Sequence, residues 1–283
     1  IDSGIVMCAN AIQDVLPGQT GANPNTGPFT DPELSGVLTA IGSSGYNIND
    51  RAQIIFSFVA TSDSIVFNYV FGSHEYPTYT CSSFNDVFGF FLKGIGINGN
   101  TSTSPTTVNL ATIPGTNTPV AINTINQGFP GSAGTASSCL TANPNYVANS
   151  VYYNSSSGSI VSLGGYTQKF TAAAQVVCGN YYEIRLAISN VSDHALSSAV
   201  FLEAQSFKSP SINISAALNS GNSFVDSTIV EGCAPSYVVF EKDGNVGIGM
   251  GINFAMTGTA VNGIDVAQIP DSIWIPPGVK SDT

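Results

Sequence analysis

The side chains best placed to do chemistry cluster in Ser73-His74-Glu75-Tyr76 and, a short segment later, Phe84-Asn85-Asp86. Strongly apolar stretches flank both, so Glu75 and Asp86 stand at the ends of neighbouring strands. Two carboxylates with an Asn carbonyl beside one of them suit a hard cation such as calcium, which takes several oxygens and no nitrogen. Asp31, Glu33, Asp50 and Asp193 are flanked by Pro, Asn or Ser and so belong to loops, from which they could converge on the same ion. The sequence thus nominates Glu75, Asn85, Asp86, Asp31, Glu33 and Asp50 as calcium ligands. The competing reading is structural: Asp and Asn also cap turns by accepting backbone N–H bonds, and acids that lie apart as caps need no cation.

Catalysis has weaker support, and no catalytic residue is assigned. Glu75 and Asp86 could be a glycosidase acid pair, which requires two carboxyls at a fixed separation about a sugar. His74 or His194 could serve one of the many serines as a base, but no GxSxG elbow occurs. Gly94-Ile95-Gly96-Ile97-Asn98-Gly99 has neither the Lys nor the following helix of a phosphate loop. The five cysteines show no CxxC or Cys/His spacing, which argues against zinc and for a disulfide-permissive compartment. Cys81 and Cys139 border a loop-rich half and are the first expected pair. Cys8 and Cys178 are the other candidate pair, leaving Cys233 over.

The elements that position these residues follow from composition. Charged residues are 9% of the 283, against a typical ~25%, so few solvated helix faces can be built and an all-β chain is expected. A net charge of −11 with seven Lys plus Arg cannot neutralise phosphates, which excludes nucleic acid as a partner. The most apolar stretch, 54–91, is interrupted by Asp63, His74, Glu75, Asn85 and Asp86, so no membrane span is expected. The chain starts at Ile1 with no basic-then-apolar leader, and any secretion signal is expected to be removed or to lie outside it.

Period-two alternation predicts strands at 53–58, 64–71, 120–125, 168–173, 181–189 and 199–207, with 87–92 buried on both faces. Residues 94–105 and 128–157 read as surface loops. A break at Phe207-Lys208-Ser209-Pro210 separates an antiparallel jelly-roll-type sandwich, 1–207, from a smaller β domain, 211–283. The second has few strands, and the native protein is expected to continue.

Tyr69-Val70-Phe71-Gly72-Ser73-His74-Glu75-Tyr76 and Phe84-Asn85-Asp86-Val87-Phe88-Gly89-Phe90-Phe91-Leu92-Lys93-Gly94 closely resemble the signature of the choice-of-anchor L domain. That resemblance extends to residue 207. It implies a secreted or cell-surface protein of gliding-type bacteria that use type IX secretion. Val230-Glu231-Gly232-Cys233 and Thr257-Gly258-Thr259 through Ile273-Trp274-Ile275-Pro276-Pro277-Gly278 look like the front of a Calx-β-type repeat, which implies an incomplete immunoglobulin-like domain. In such bacteria Asp-Ser-apolar motifs accept O-linked sugars, which nominates Ser64, Ser227 and Ser272 for glycosylation.

The expected role is adhesion or motility-associated binding without catalysis. The partners would be a surface polysaccharide or protein ligand, together with secretion or motility machinery at the outer membrane. The rival readings are an accessory domain of a secreted glycoside hydrolase or peptidase, and a subunit of an extracellular filament.

Overall fold

The computed structural model describes residues 3–100, 106–157, 160–207, 212–218, 236–242, 249–254, 262–264 and 267–282. The chain forms two compact units, Ile1–Ala60 with Ser64–Lys208 and Thr61–Asp63 with Ser209–Thr283.

The first unit runs β1 (Gly4–Cys8), α1 (Pro32–Ala40), β2 (Ile48–Val59), β3 (Ser64–Ser73), β4 (Val87–Gly94), β5 (Thr107–Asn109), α2 (Ala136–Ala142), β6 (Tyr153–Ser155), β7 (Gly165–Thr167), β8 (Phe170–Gln175), β9 (Tyr181–Val191) and β10 (Ser198–Glu203). One sheet has the order β1-β10-β3-β7-β6, with β8 also paired to β3; the other is β2-β9-β4-β5. Every pairing is antiparallel. The all-β expectation from composition holds.

The sheets are joined by aromatic packing. Alternation turns Phe67, Tyr69 and Phe71 of β3 inward against Phe88 and Phe90 of β4. Phe71 stacks on Phe88 with centroids 4.7 Å apart, and Tyr69 and Phe67 meet Phe90 edge-on at 4.8 and 5.0 Å. The other face of β4, Val87 and Phe91, packs with Leu34, Val37, Leu38 and Ile41. That is α1 with the residue after it, so β4 is buried on both sides.

The helix α1 was not expected. Asp31 caps it by accepting the Leu34 N–H at 3.1 Å, and Pro32 fits the first turn, where its missing N–H costs nothing. A low charge content limits solvated helix faces, whereas this helix of nine residues needs only its buried stripe. The strand expected at 120–125 is absent. Thr124 closes a turn there, its hydroxyl accepting from Ala121 N at 2.9 Å and lying 2.8 Å from Pro119 O. The loop expected at 128–157 carries α2 and buries Cys139, Tyr146 and Asn149.

Cys81 and Cys139 form a disulfide, as expected. The Cys8–Cys178 pair does not form: Cys8 is buried and Cys178 exposed, both as free thiols. The reason is topological. Cys8 pairs with Ala199, which pairs with Gly72 near one end of β3, while Cys178 follows Gln175, the partner of Ser64 at the other end. At ~3.3 Å per residue the two ends are about 26 Å apart, far beyond bonding reach. Cys233 lies outside the described residues.

The second unit contains β11 (Ile212–Leu218), β12 (Ser236–Lys242), β13 (Met250–Asn253), β14 (Ser272–Ile275) and β15 (Ser281–Asp282). They form the antiparallel sheets β11-β12-β15 and β13-β14. Phe240, Met250, Ile252 and Ile275 form its core, with Phe254 against Phe240 at 4.8 Å. The strand β13 ends at Asn253, and residues 255–256 lie outside the described residues.

The Cys81–Cys139 bond closes a loop of 58 residues, for which the chain-entropy model gives about 4 kcal/mol. Cys139→Ser should therefore lower the unfolding free energy in denaturant by about that amount; a loss below about 1 kcal/mol would show that neighbouring packing already fixes the loop.

Candidate functional site

The end of β3, the starts of β4 and β10 and the end of β9 meet at one end of the sandwich, because Ser73 pairs with Ser198 and Val87 with Ser189. The segment 74–86 crosses that end from one sheet to the other and carries Glu75 and Asp86. Both are buried, at 2% and 1% exposure. Asp86 Oδ1 accepts the Val191 N–H at 3.0 Å. The Ser198 hydroxyl lies 2.7 Å from Asp86 Oδ2 and 2.8 Å from Ser73 Oγ. With a single proton it can donate to only one of them. Ser73 Oγ also accepts the Glu75 N–H at 2.9 Å. Glu75 Oε2 is buried and has no hydrogen-bond partner.

Burial pushes the Glu75 carboxyl up to about 9, and the charges of Asp86 and Asp193 add to the shift. Burial also pushes Asp86 up to about 7; the bonds from Ser198 and Val191 oppose this, and Asp193 and Asp50 reinforce it. A carboxylate whose oxygen meets no donor favours its proton. Near neutral pH this end of the protein therefore holds protons that free carboxylates would have lost.

Asp50 is the third member. It sits at the irregularity between Asn49 and Ala52 in the β2–β9 ladder with φ +50°, a region Asp tolerates better than most residues. Its carboxylate accepts the Thr26 N–H at 2.6 Å and lies 2.8 Å from His194 Nδ1. The Asn190 amide reaches Asp50 at 3.4 Å, while Asn190 Oδ1 is buried without a partner.

The other nominated ligands are elsewhere. Asn85 turns to a different partner from Asp86: its Oδ1 accepts Asn123 N at 3.1 Å, and Asn123 in turn holds Cys81 N and Ser82 O. Asp31 and Glu33 are held by arginines. Asp31 pairs with Arg51 at 3.0 Å and with Arg185, and Glu33 with Arg185 at 2.6 Å. Burial alone would raise the Asp31 pKa, but the Arg185 and Arg51 bonds outweigh it and hold the carboxyl below its usual value. Arg185 lies six residues along β9 from Val191, about 20 Å away at strand rise. Hence the six nominated ligands fall into separate places, and among the described residues no group of three or more His, Cys, Asp or Glu is disposed to hold a metal.

The His74 ring serves backbone, whereas the His194 ring meets Asp50. His74 donates its N–H to Ser197 O at 3.0 Å, and its Nδ1 lies 3.2 Å from the same oxygen. Asn10 and Asn23 donate to the His194 carbonyl, fixing the loop that presents His194 to Asp50. Of the nominated sugar acceptors, Ser64 is only 2% exposed and lies on a paired strand, where no glycan fits. Ser272 is exposed on β14, and Ser227 lies outside the described residues.

Cavities of about 580, 410 and 210 Å³ lie outside the site; the first is apolar and lies between the edges of the two sheets. Neither Glu75 nor Asp86 lines any of the three. Sequence reasoning named Ser73 in its polar cluster without giving it a role, and missed Ser198, Asn190 and the Val191 N–H. Ser73 and Ser198 are 125 positions apart, and only sheet pairing brings them together.

Two antiparallel sheets closed at one end by a buried acid pair define an all-β sandwich. Residues 1–208 match the model of the choice-of-anchor L domain, and the chain belongs to that family. The domain marks a cell-surface-associated protein, anchored or secreted. No curated protein and no solved structure gives a match.

The raised carboxyls set a sign for pH dependence. Below the unfolded value of ~4 both states bind the protons; above it the unfolded chain releases them while the folded one retains them. Stability from this pair is therefore progressively lost as pH rises from ~4 towards about 9. The melting temperature should fall between pH 5 and 9, and Glu75→Gln should flatten that slope and raise the midpoint at pH 8. An unchanged slope would assign it to other groups.

Proposed function

We propose that this is a secreted, surface-displayed binding protein that acts in adhesion without catalysis. In this reading it is exported by the type IX route in a gliding-type bacterium, the second unit is a Calx-β-like repeat, and the partner is a surface polysaccharide or protein. The observation that carries it is the burial of Glu75 and Asp86. An acid pair for glycosidic cleavage must flank a sugar in a cleft, whereas both of these are buried in the protein and Asp86 is tied to Ser198 and the Val191 N–H. His194 is likewise committed to Asp50.

The purified chain should be retained on an immobilised extracellular polysaccharide or surface-protein fraction without turning it over. Release of reducing ends or peptides that disappears in both Glu75→Gln and Asp86→Asn would overturn the non-catalytic reading.

Calcium belongs to this proposal in a narrower form than the sequence suggested. Asp31 and Glu33 leave the ligand set because arginines neutralise them, and Asn85 leaves because its oxygen is engaged. Glu75 and Asp86 remain, a pair rather than a cluster, with the Ser73 and Ser198 hydroxyls beside them. An ion there would take the place of the protons and relieve the repulsion. Millimolar calcium should raise the melting temperature of wild type at pH 8 and leave Glu75→Gln unmoved, since binding to the native state alone must stabilise it. A wild-type midpoint that is the same in calcium and in chelator removes the metal.

A further inference from the structure

The longest strand of the first unit, β2, is twelve residues and sits at the edge of its sheet. On one side it pairs with β9 along its length. Its other side is unpaired: among the described residues, 51–59 make no other backbone hydrogen bond. From Ala52 to Val59 the sequence is Ala-Gln-Ile-Ile-Phe-Ser-Phe-Val. It holds no charge, no Pro and no Gly, which are the devices that protect exposed edges from pairing. An uncharged run of β-branched and aromatic residues of this length is the kind of segment that seeks another strand.

The side chains tell the same story. Ala52, Ile54, Phe56 and Phe58 face the core yet remain only half-buried, whereas the corresponding positions on β4 are closed. Beside them lies the apolar cavity of about 580 Å³, lined by Ile5, Ile54, Phe56, Phe67 and Leu202 and bounded by Phe207. Phe207 touches Phe56 and Phe58 edge-on, both at 5.2 Å, and covers part of this opening. On the outer face Ile55 and Val59 stand 52% and 43% exposed. The sandwich is thus unfinished along one edge, both in its hydrogen bonding and in its packing.

We propose that the β2 edge pairs antiparallel with the β2 edge of a second copy of this chain about a two-fold axis, joining two four-stranded sheets into one of eight strands. The self-match is geometric. In an antiparallel pair opposed residues share a face, and pairing a strand with itself about Ile55 or Phe56 always opposes positions of like parity. Inward Ile54 then meets Phe56 or Phe58, outward Ile55 meets itself or Ser57, and the free N–H and C=O groups of one copy face those of the other. Such an interface is isologous and closes at two copies, so it gives a dimer rather than a filament. A net charge of −11 makes copies repel overall, and an uncharged edge adds no like charges opposed across the axis. The inference does not depend on which surface ligand the protein takes.

The test is sedimentation of the full chain from ~1 to ~100 µM, a range that brackets micromolar affinity, with hydrogen exchange read at 52–59. A monomer–dimer equilibrium is expected, with alternate amides of that segment slowed as dimer forms. Ile55→Lys and Ser57→Lys place a cation on the outer face, away from the core, and oppose like charges across the axis. Each should weaken the dimer at least tenfold and restore fast exchange, while Leu140→Lys on α2 changes neither. Circular dichroism identifies a variant that fails to fold, in which case the other one decides. A chain monomeric throughout, a dimer indifferent to both variants, an apolar small molecule found by native mass spectrometry in the cavity of a monomer, or pairing only with a different protein's strand would each overturn the proposal.

Discussion

The structure of the first unit depends on one layer of aromatic packing, in which Phe67, Tyr69 and Phe71 of β3 lie against Phe88 and Phe90 of β4. These strands are close in sequence but belong to opposite sheets. The segment between them must therefore cross the end of the sandwich, and it cannot do so as a hairpin. That crossing carries Glu75 and Asp86 beneath the surface, into contact with strand ends that supply Ser73, Ser198 and the Val191 N–H. The buried acids are thus a consequence of the connection that the core requires, and their raised pKa values follow from burial before any role is assigned.

The same layer determines the other face of β4. With Phe88, Phe90 and Leu92 turned inward, Val87 and Phe91 face out of the sandwich and need a cover. The helix α1 provides it, and its acidic N-terminus draws in Arg51 and Arg185, whose guanidinium groups also lie over Phe29 and Phe91 at 4.6 and 5.5 Å. Seven cationic side chains serve the whole chain, and two are committed to this one corner. Glu75 and Asp86 have no arginine partner, so their charge is left to protons or to a bound cation.

Much of the sheet framework was legible because β2, β3, β4 and β9 carry long apolar or alternating runs between turn residues, and the all-apolar β4 announced burial on both faces. The misreadings have specific causes. Val120-Ala121-Ile122 looks like a strand start, but Thr124 satisfies backbone groups locally and turns the chain, while Asn123 is drawn off to Cys81 N and Ser82 O. Asp31-Pro32-Glu33 is a helix-start signal that was read only for its carboxylates. The residue types at the acidic end were identified from sequence, yet their grouping was not. Just before β4, Asn85 and Asp86 turn to different partners, Asn123 N and Val191 N. The partners of Asp86 lie more than a hundred positions away, at Val191 and Ser198, where no local pattern reports them.

Packing and composition meet at the sheet edges. Where loops 120–150 and the Cys81–Cys139 bond cover the β4 side, inward residues reach complete burial. Along β2 nothing comparable covers the strand among the described residues, and four core-facing side chains stay half in water. Each buried methylene contributes about 0.8 kcal/mol, so leaving Ile54, Phe56 and Phe58 part-exposed forgoes stability that a neighbouring strand would supply. A chain with so few charges has little with which to guard such an edge. The sparse charge that makes the acid pair hard to neutralise at one end therefore also leaves the β2 edge open to pairing, and both features trace to a composition that favours sheet over solvated helix.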